Sequence, residues 1–209
     1  MANMNAPTGL WPTGTLTGAA YNEQGRLYYI ANDATNTYAI GDVVTIKKGG
    51  DINGVPQCVK ATAASTPLGV VVGFEVSVAG PSLQGTNLNL AQIYLSLNSG
   101  SQYAYVVDDP NAIFKVVATN GASTTTATAY SRALVGSNVS LATATGSTAT
   151  GDSYYGINGA SADTTNTLPI RVVDVVPDTA TGSASASATT YYEFLVKFNL
   201  HQYTDTTGI

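Results

Sequence analysis

The chain has 209 residues, 44% hydrophobic and only 10% charged, with a formal net charge of −5. That length and apolar content support a core and exclude a disordered chain. The acidic balance, with no basic run beyond Lys47-Lys48, excludes a nucleic-acid partner, which needs clustered Lys and Arg.

Residues 1–22 carry no charged side chain and contain Pro7, Gly9, Pro12, Gly14 and Gly18, which predicts an extended N-terminal arm. Its apolar residues Leu10, Trp11 and Leu16 need a surface. Either the arm packs on its own domain, or it reaches a neighbouring subunit or partner. Residues 23–203 read as a β-rich domain, as one unit or two small subdomains, followed by a tail at 204–209. The Met1–Pro7 start lacks the basic flank and apolar run of a signal peptide.

Runs rich in Val, Ile, Tyr and Phe predict strands at Arg26–Ile30, Val43–Lys48, Gln57–Ala61, Leu68–Val78, Gln92–Leu97, Tyr103–Val107, Ile113–Ala118, Leu168–Val176 and Tyr192–Gln202. Gly49–Gly54 reads as a hairpin loop and Asp108-Asp109-Pro110-Asn111 as a turn. One short helix is expected within Thr125–Val135. Ala142–Gly151 and Thr179–Thr190, built of Thr, Ala, Ser and Gly, read as long hydroxyl-rich loops. In the closing strand Phe194, Val196, Phe198 and Leu200 form the buried face. No repeat of 20–50 residues is evident, which disfavours a solenoid or propeller. The expected class is all-β, an antiparallel sandwich or barrel with an extended arm and long Thr/Ala-rich loops.

The chemistry-bearing residues are few. His201 is the single histidine and Cys58 the single cysteine, so neither an intrachain disulfide nor a Cys/His zinc site is expected. There is no G-x-S-x-G, no P-loop and no dinucleotide fingerprint. Asp108-Asp109 offers a calcium site only without EF-hand spacing. Nothing selects Glu75 and Glu193 as a glycosidase pair. No stretch approaches the ~18 apolar residues of a membrane-spanning helix. No catalytic or metal-binding motif stands out among these residues. The 13 tyrosines include the doublets Tyr28-Tyr29, Tyr154-Tyr155 and Tyr191-Tyr192, in which one ring enters the core while the other meets solvent or a partner.

Five segments, in order, resemble a group of tailed-bacteriophage structural proteins. They are Asn5–Pro12, Gly41-Asp42-Val43-Val44, Leu68–Phe74, Val107–Phe114 and Lys197–Ile209. The chain is similar in this way to capsid decoration, or cement, proteins. The resemblance implies a virion protein on the outer surface of the capsid, made in the host cytoplasm, with the major capsid protein as partner. It also implies that the chain is no enzyme and holds no cofactor. A homo-oligomer, dimer or trimer, is expected from the low charge and the apolar arm. Leu10, Trp11, Leu16 and Tyr203 are the expected partner-binding residues. The rival reading is a head-fibre or tail-associated adhesion module that binds carbohydrate, for which hydroxyl-rich loops and exposed tyrosines are suited.

Overall fold

A computed structural model describes residues 6–22, 24–31, 36–75, 93–96, 102–177, 191–205 and 208. In chain order the strands are β1 (Trp11–Thr15), β2 (Arg26–Ile30), β3 (Thr37–Ala39), β4 (Val43–Ile52), β5 (Val55–Lys60), β6 (Gly69–Phe74), β7 (Tyr94–Ser96), β8 (Gln102–Val107), β9 (Ala112–Thr119), β10 (Asn138–Ala144), β11 (Tyr154–Asp163), β12 (Ile170–Val175) and β13 (Glu193–Phe198). The protein is all-β and built from barrels.

Strands β2-β5-β4-β6-β8 form a closed barrel. The second sheet has the order β1-β9-β11-β10-β12-β13, and β13 also pairs with β9, so five of its six strands close into a ring. Strands β3 and β7 form a separate pair. Closure removes the unpaired edges that an open sheet would leave.

The two rings share one wiring. Within each, the first and third strands in chain order pair in parallel (β2 with β5, β9 with β11). The other four pairings are antiparallel: third with second, second with fourth, fourth with fifth, and fifth with first. The detail agrees as well. The fourth strand of each ring is bulged at one position, Val72 in β6 and Val173 in β12. A left-handed glycine precedes each second strand, Gly41 (φ 95) and Gly136 (φ 90). Gly41 donates its N–H to Val71 O at 2.8 Å, and Val71 returns one to Asp42 O at 2.9 Å. Gly136 donates to Val172 O at 2.9 Å, and Val172 returns one to Ser137 O at 3.0 Å.

The first barrel buries Tyr28, Ile30, Leu68, Phe74 and Val106. The second buries Phe114, Leu141, Ile157, Phe194 and Val196, and its cluster extends to Val43, Ala61, Val70 and Val107 of the first. One apolar seam therefore joins the barrels. Phe194, Val196 and Phe198 are buried as the alternation requires, while Leu200 is half-buried beyond the strand.

Several expectations need correction. The arm is not merely extended. Trp11–Thr15 pairs with β9, and residues 19–21 fold back on it through Thr15 N to Ala19 O and Tyr21 N to Thr13 O. The arm thus packs on its own domain. No helix forms in Thr125–Val135, where only Arg132–Leu134 makes one 3-10 turn, capped by Ser131. Thr and Ser crowd that stretch and compete for the backbone bonds a helix would need. Ala142–Ala144 belongs to β10, so the hydroxyl-rich loop begins after it. The Gly49–Gly54 loop contracts to Asn53-Gly54, both at positive φ (52° and 79°), because β4 continues to Ile52. Two strand pairs are parallel where an antiparallel sheet was expected. Thr179–Thr190, Val76–Val78, Gln92 and Leu97 lie outside the described residues.

Candidate functional site

The arm is fixed by three backbone contacts. Gly9 donates to Tyr155 O at 3.1 Å, Leu10 to Gly41 O at 3.0 Å, and Leu16 to Asn111 O at 2.9 Å. Leu10 is fully buried in the seam, so it serves the core and is withdrawn from any docking surface. Trp11 and Leu16 point outward, 43% and 47% exposed. The Trp11 indole N–H donates to Thr8 O at 2.9 Å, which satisfies its polar edge within the arm. In register, Trp11 lies beside Lys115, Lys115 beside Leu195, and Leu195 beside Asp174. Opposed residues share a face, so the tryptophan begins a row across four strands on the outside of the second barrel. Lys115 pairs with Glu193 at 3.3 Å and Arg132 with Asp174 at 2.6 Å beside it.

Tyr203, 46% exposed, lies elsewhere. It borders an open groove of 810 Å³ between the arm hairpin, the Asp108–Pro110 turn and the start of β2. Tyr28 reaches down from the first barrel and donates its hydroxyl proton to Asp108 Oδ2 at 2.7 Å. The Tyr28 oxygen also meets the Tyr203 hydroxyl. Tyr28 has one proton and spends it on Asp108, so Tyr203 is the donor of that second bond. Burial, then the hydrogen bonds to Tyr203 and Asp108, hold the Tyr28 phenol far above its ordinary pKa. Arg26 sits 3.4 Å from Asp108 Oδ2 and 5.8 Å from the Tyr203 ring centroid.

His201 is buried between Phe198 and Tyr203, at ring-centroid distances of 5.9 and 5.6 Å. Its Nδ1 accepts the Tyr203 backbone N–H at 3.2 Å, which leaves the proton of the neutral ring on Nε2. No hydrogen bond of good geometry receives Nε2. Burial lowers the His201 pKa, opposed by the Leu68 backbone and by Asp108 and Asp109. Among the described residues no serine hydroxyl is hydrogen-bonded to this ring, which packs against Phe198 and Tyr203.

A third cluster bridges the barrels. Asp42 is fully buried. Its Oδ2 accepts Ala39 N–H and the Lys60 ammonium, both at 2.9 Å, and its Oδ1 accepts the Ser153 hydroxyl at 2.6 Å. Lys60 Nζ also donates to Thr37 O at 2.7 Å and lies 5.6 and 5.3 Å from the Tyr38 and Tyr155 ring centroids. The charge is thereby fully compensated, as a buried ion must be.

Cys58 is buried and its thiol is pushed up to about 12 by burial. Glu193 is paired with Lys115 in the second barrel, and Glu75 is buried at the end of β6 in the first. Among the described residues no three His, Cys, Asp or Glu side chains gather to hold a metal ion, and no helix is long and apolar enough to cross a membrane. The structure therefore separates the expected partner-binding residues: Trp11 and Leu16 on the arm, Tyr203 in the groove, Leu10 inside. The groove's Arg26 and Asn22 gave no signal in the sequence, and Asp108-Asp109 stood out there chiefly as a turn. Comparison with family models, curated proteins and solved structures finds no match in any of the three.

Proposed function

We propose that the chain is a structural virion protein that binds the outside of a tailed-phage capsid and cements neighbouring major capsid protein subunits. It acts as a homo-oligomer, dimer or trimer, without catalysis or cofactor. The ordered set of segments from Asn5–Pro12 to Lys197–Ile209 supports the reading. The observation that carries it is the arm, which holds Trp11 and Leu16 outward on backbone already ordered by β9. Tryptophan is a frequent interface anchor, and an anchor on a fixed backbone loses little entropy on docking. A cement protein straddling a joint adds binding free energy that must be lost before the joint opens, and repetition over a shell multiplies modest single-site energies.

The test is binding of the protein to purified capsid shells, with melting measured on the same preparation. Trp11→Ala should leave melting near wild type and weaken shell binding or self-association by ~2 kcal/mol or more, about 30-fold in affinity. Wild-type occupancy by this variant, or no shell binding by the wild-type protein, overturns the reading.

A further inference from the structure

We propose that the groove between the arm hairpin, the Asp108–Pro110 turn and Tyr203 is a saccharide-binding site. The inference does not rest on the capsid reading; it stands on the groove alone. Its 810 Å³ lies within the roughly 300–1,000 Å³ of small-ligand sites.

The first argument is the fixing of Tyr203. Its hydroxyl is spent on Tyr28, which is itself spent on Asp108. Arg26 and His201 flank its ring. A surface tyrosine needs no such restraint for folding, yet this one stays 46% exposed and borders the groove. The exposed part of this held ring offers apolar surface to the C–H groups of a pyranose, and the ordering cost is met before the ligand arrives.

The second argument is the mix of short and polar residues. Gly14, Ala19, Ala20, Gly25 and Ala112 all line the groove, so a flat ring can approach the backbone beside them. Around them stand exposed Asn22, Gln24, Asp109 and Thr204. Amide and carboxylate groups donate and accept in a plane, and a sugar hydroxyl does both. Asp108 Oδ2 takes the Tyr28 hydrogen bond and the Arg26 ion pair.

Other ligand classes fit less well. Phosphates and nucleic acids meet two carboxylates and one arginine already paired to Asp108. A lipid or other apolar ligand meets Ala19, Ala20, Val107, Pro110 and Ala112, but these are interspersed with Asn22, Gln24, Arg26, Asp108, Asp109 and Thr204, which leaves no continuous apolar wall. A peptide segment is left as an outcome of the experiment.

The probe is a printed array of bacterial polysaccharides and animal oligosaccharides, followed by titration calorimetry with the best-retained glycan. The full-length protein should be retained on at least one glycan class. Tyr203→Ala should weaken that binding about tenfold or more, whereas Tyr203→Phe, which keeps the ring, stays within about threefold of wild type. Trp11→Ala, outside the groove lining, should bind the glycan as wild type does. If Tyr203→Ala unfolds, the double variant Asn22→Ala/Gln24→Ala decides: both side chains are exposed, and their loss should weaken binding without moving the melting temperature. Failure of the wild-type protein to retain any glycan overturns the proposal. So does unchanged affinity in folded Tyr203→Ala or in the double variant, and so does retention of peptides alone on a parallel peptide array.

Discussion

Gly9 and Gly41 stand back to back where the arm crosses the first barrel. A Cβ on Gly9 would lie 2.6 Å from the Gly41 Cα, and one on Gly41 would lie 2.8 Å from the Gly9 Cα. Both residues are left-handed, at φ 86° and 95°. The arm therefore approaches Gly41 as closely as two backbones can, and the Leu10 N–H reaches the Gly41 carbonyl there.

Gly41→Ala should be costly for two separable reasons. The left-handed backbone alone costs an alanine ~1–2 kcal/mol, and the contact with Gly9 adds to it. Gly18→Ala supplies the comparison, because Gly18 is also left-handed (φ 85) but has open space around its would-be Cβ. For a chain of this size ~1 kcal/mol moves Tm by roughly 2–4 °C. Gly41→Ala should lower Tm clearly more than Gly18→Ala; equal shifts would mean that the arm is free to lift away.

Asp42 holds the barrels together through Ser153 and Lys60. Asp42→Ala removes the partner of a mostly buried ammonium and strands the Ser153 hydroxyl, a change that typically costs ~3–5 kcal/mol. Urea denaturation should show the midpoint falling accordingly. A loss under about 1 kcal/mol, the worth of an exposed pair, would remove the cluster from the stability of the seam.

His201 makes stability depend on pH. Its pKa is lower folded than unfolded, so folding favours the neutral ring. That contribution is intact above the ordinary value near 6.5. It is lost as pH falls from there toward the lower folded value, because the unfolded chain takes up the proton first. Melting temperature should decline from pH 7 to pH 5, and His201→Phe should flatten the decline. Parallel curves for the two proteins would assign the pH dependence to carboxylates instead.

Cys58 lies inside the first barrel with its thiol pushed up to about 12. Thiolate is the reactive form, so a chromogenic disulfide reagent at pH 8 should leave the native protein unlabelled and label one thiol per chain in urea. Rapid labelling without denaturant would show that the first barrel opens readily.

Strands with dense Val, Ile, Tyr and Phe were legible from sequence. Arg26–Ile30 matches β2, Tyr103–Val107 falls one residue short of β8 at its start, and Ile113–Ala118 falls one residue short of β9 at each end. Four strands were not: β1, β3, β10 and β11. Segments such as NVSLATA and YYGINGASAD carry little apolar signal. Their partners stabilise them, since β10 pairs with β11 over six registered positions and Tyr155 anchors the seam through its bond to Ala61 O at 2.7 Å. Propensity reads a strand's own residues and not the neighbour that completes its hydrogen bonds. The groove escaped for a similar reason, because it gathers residues 14–15, 19–22, 24–26, 107–110, 112 and 203–204 from three distant stretches. The common wiring of the barrels was hidden by core side chains: Gly41 and Gly136, Val71 and Val172, and Val72 and Val173 agree, but Tyr28 and Val116, or Phe74 and Val175, differ widely in size.

That wiring creates a hazard during folding, since any strand of one ring fits the hydrogen-bond frame of its counterpart in the other, in the same chain or a neighbouring one. The volumes oppose the exchange. On one side, large Tyr28 lies opposite small Ala104 between the first and fifth strands; on the other, Val116 lies opposite Phe194. A swapped first strand would set Tyr28 against Phe194, overfilling the second barrel, or Val116 against Ala104, leaving a void in the first. Each ring thus accepts its own strand by size, so divergence between the two halves works as a proofreading code that keeps a chain with two interchangeable scaffolds from knitting itself, or its neighbours, into the wrong one.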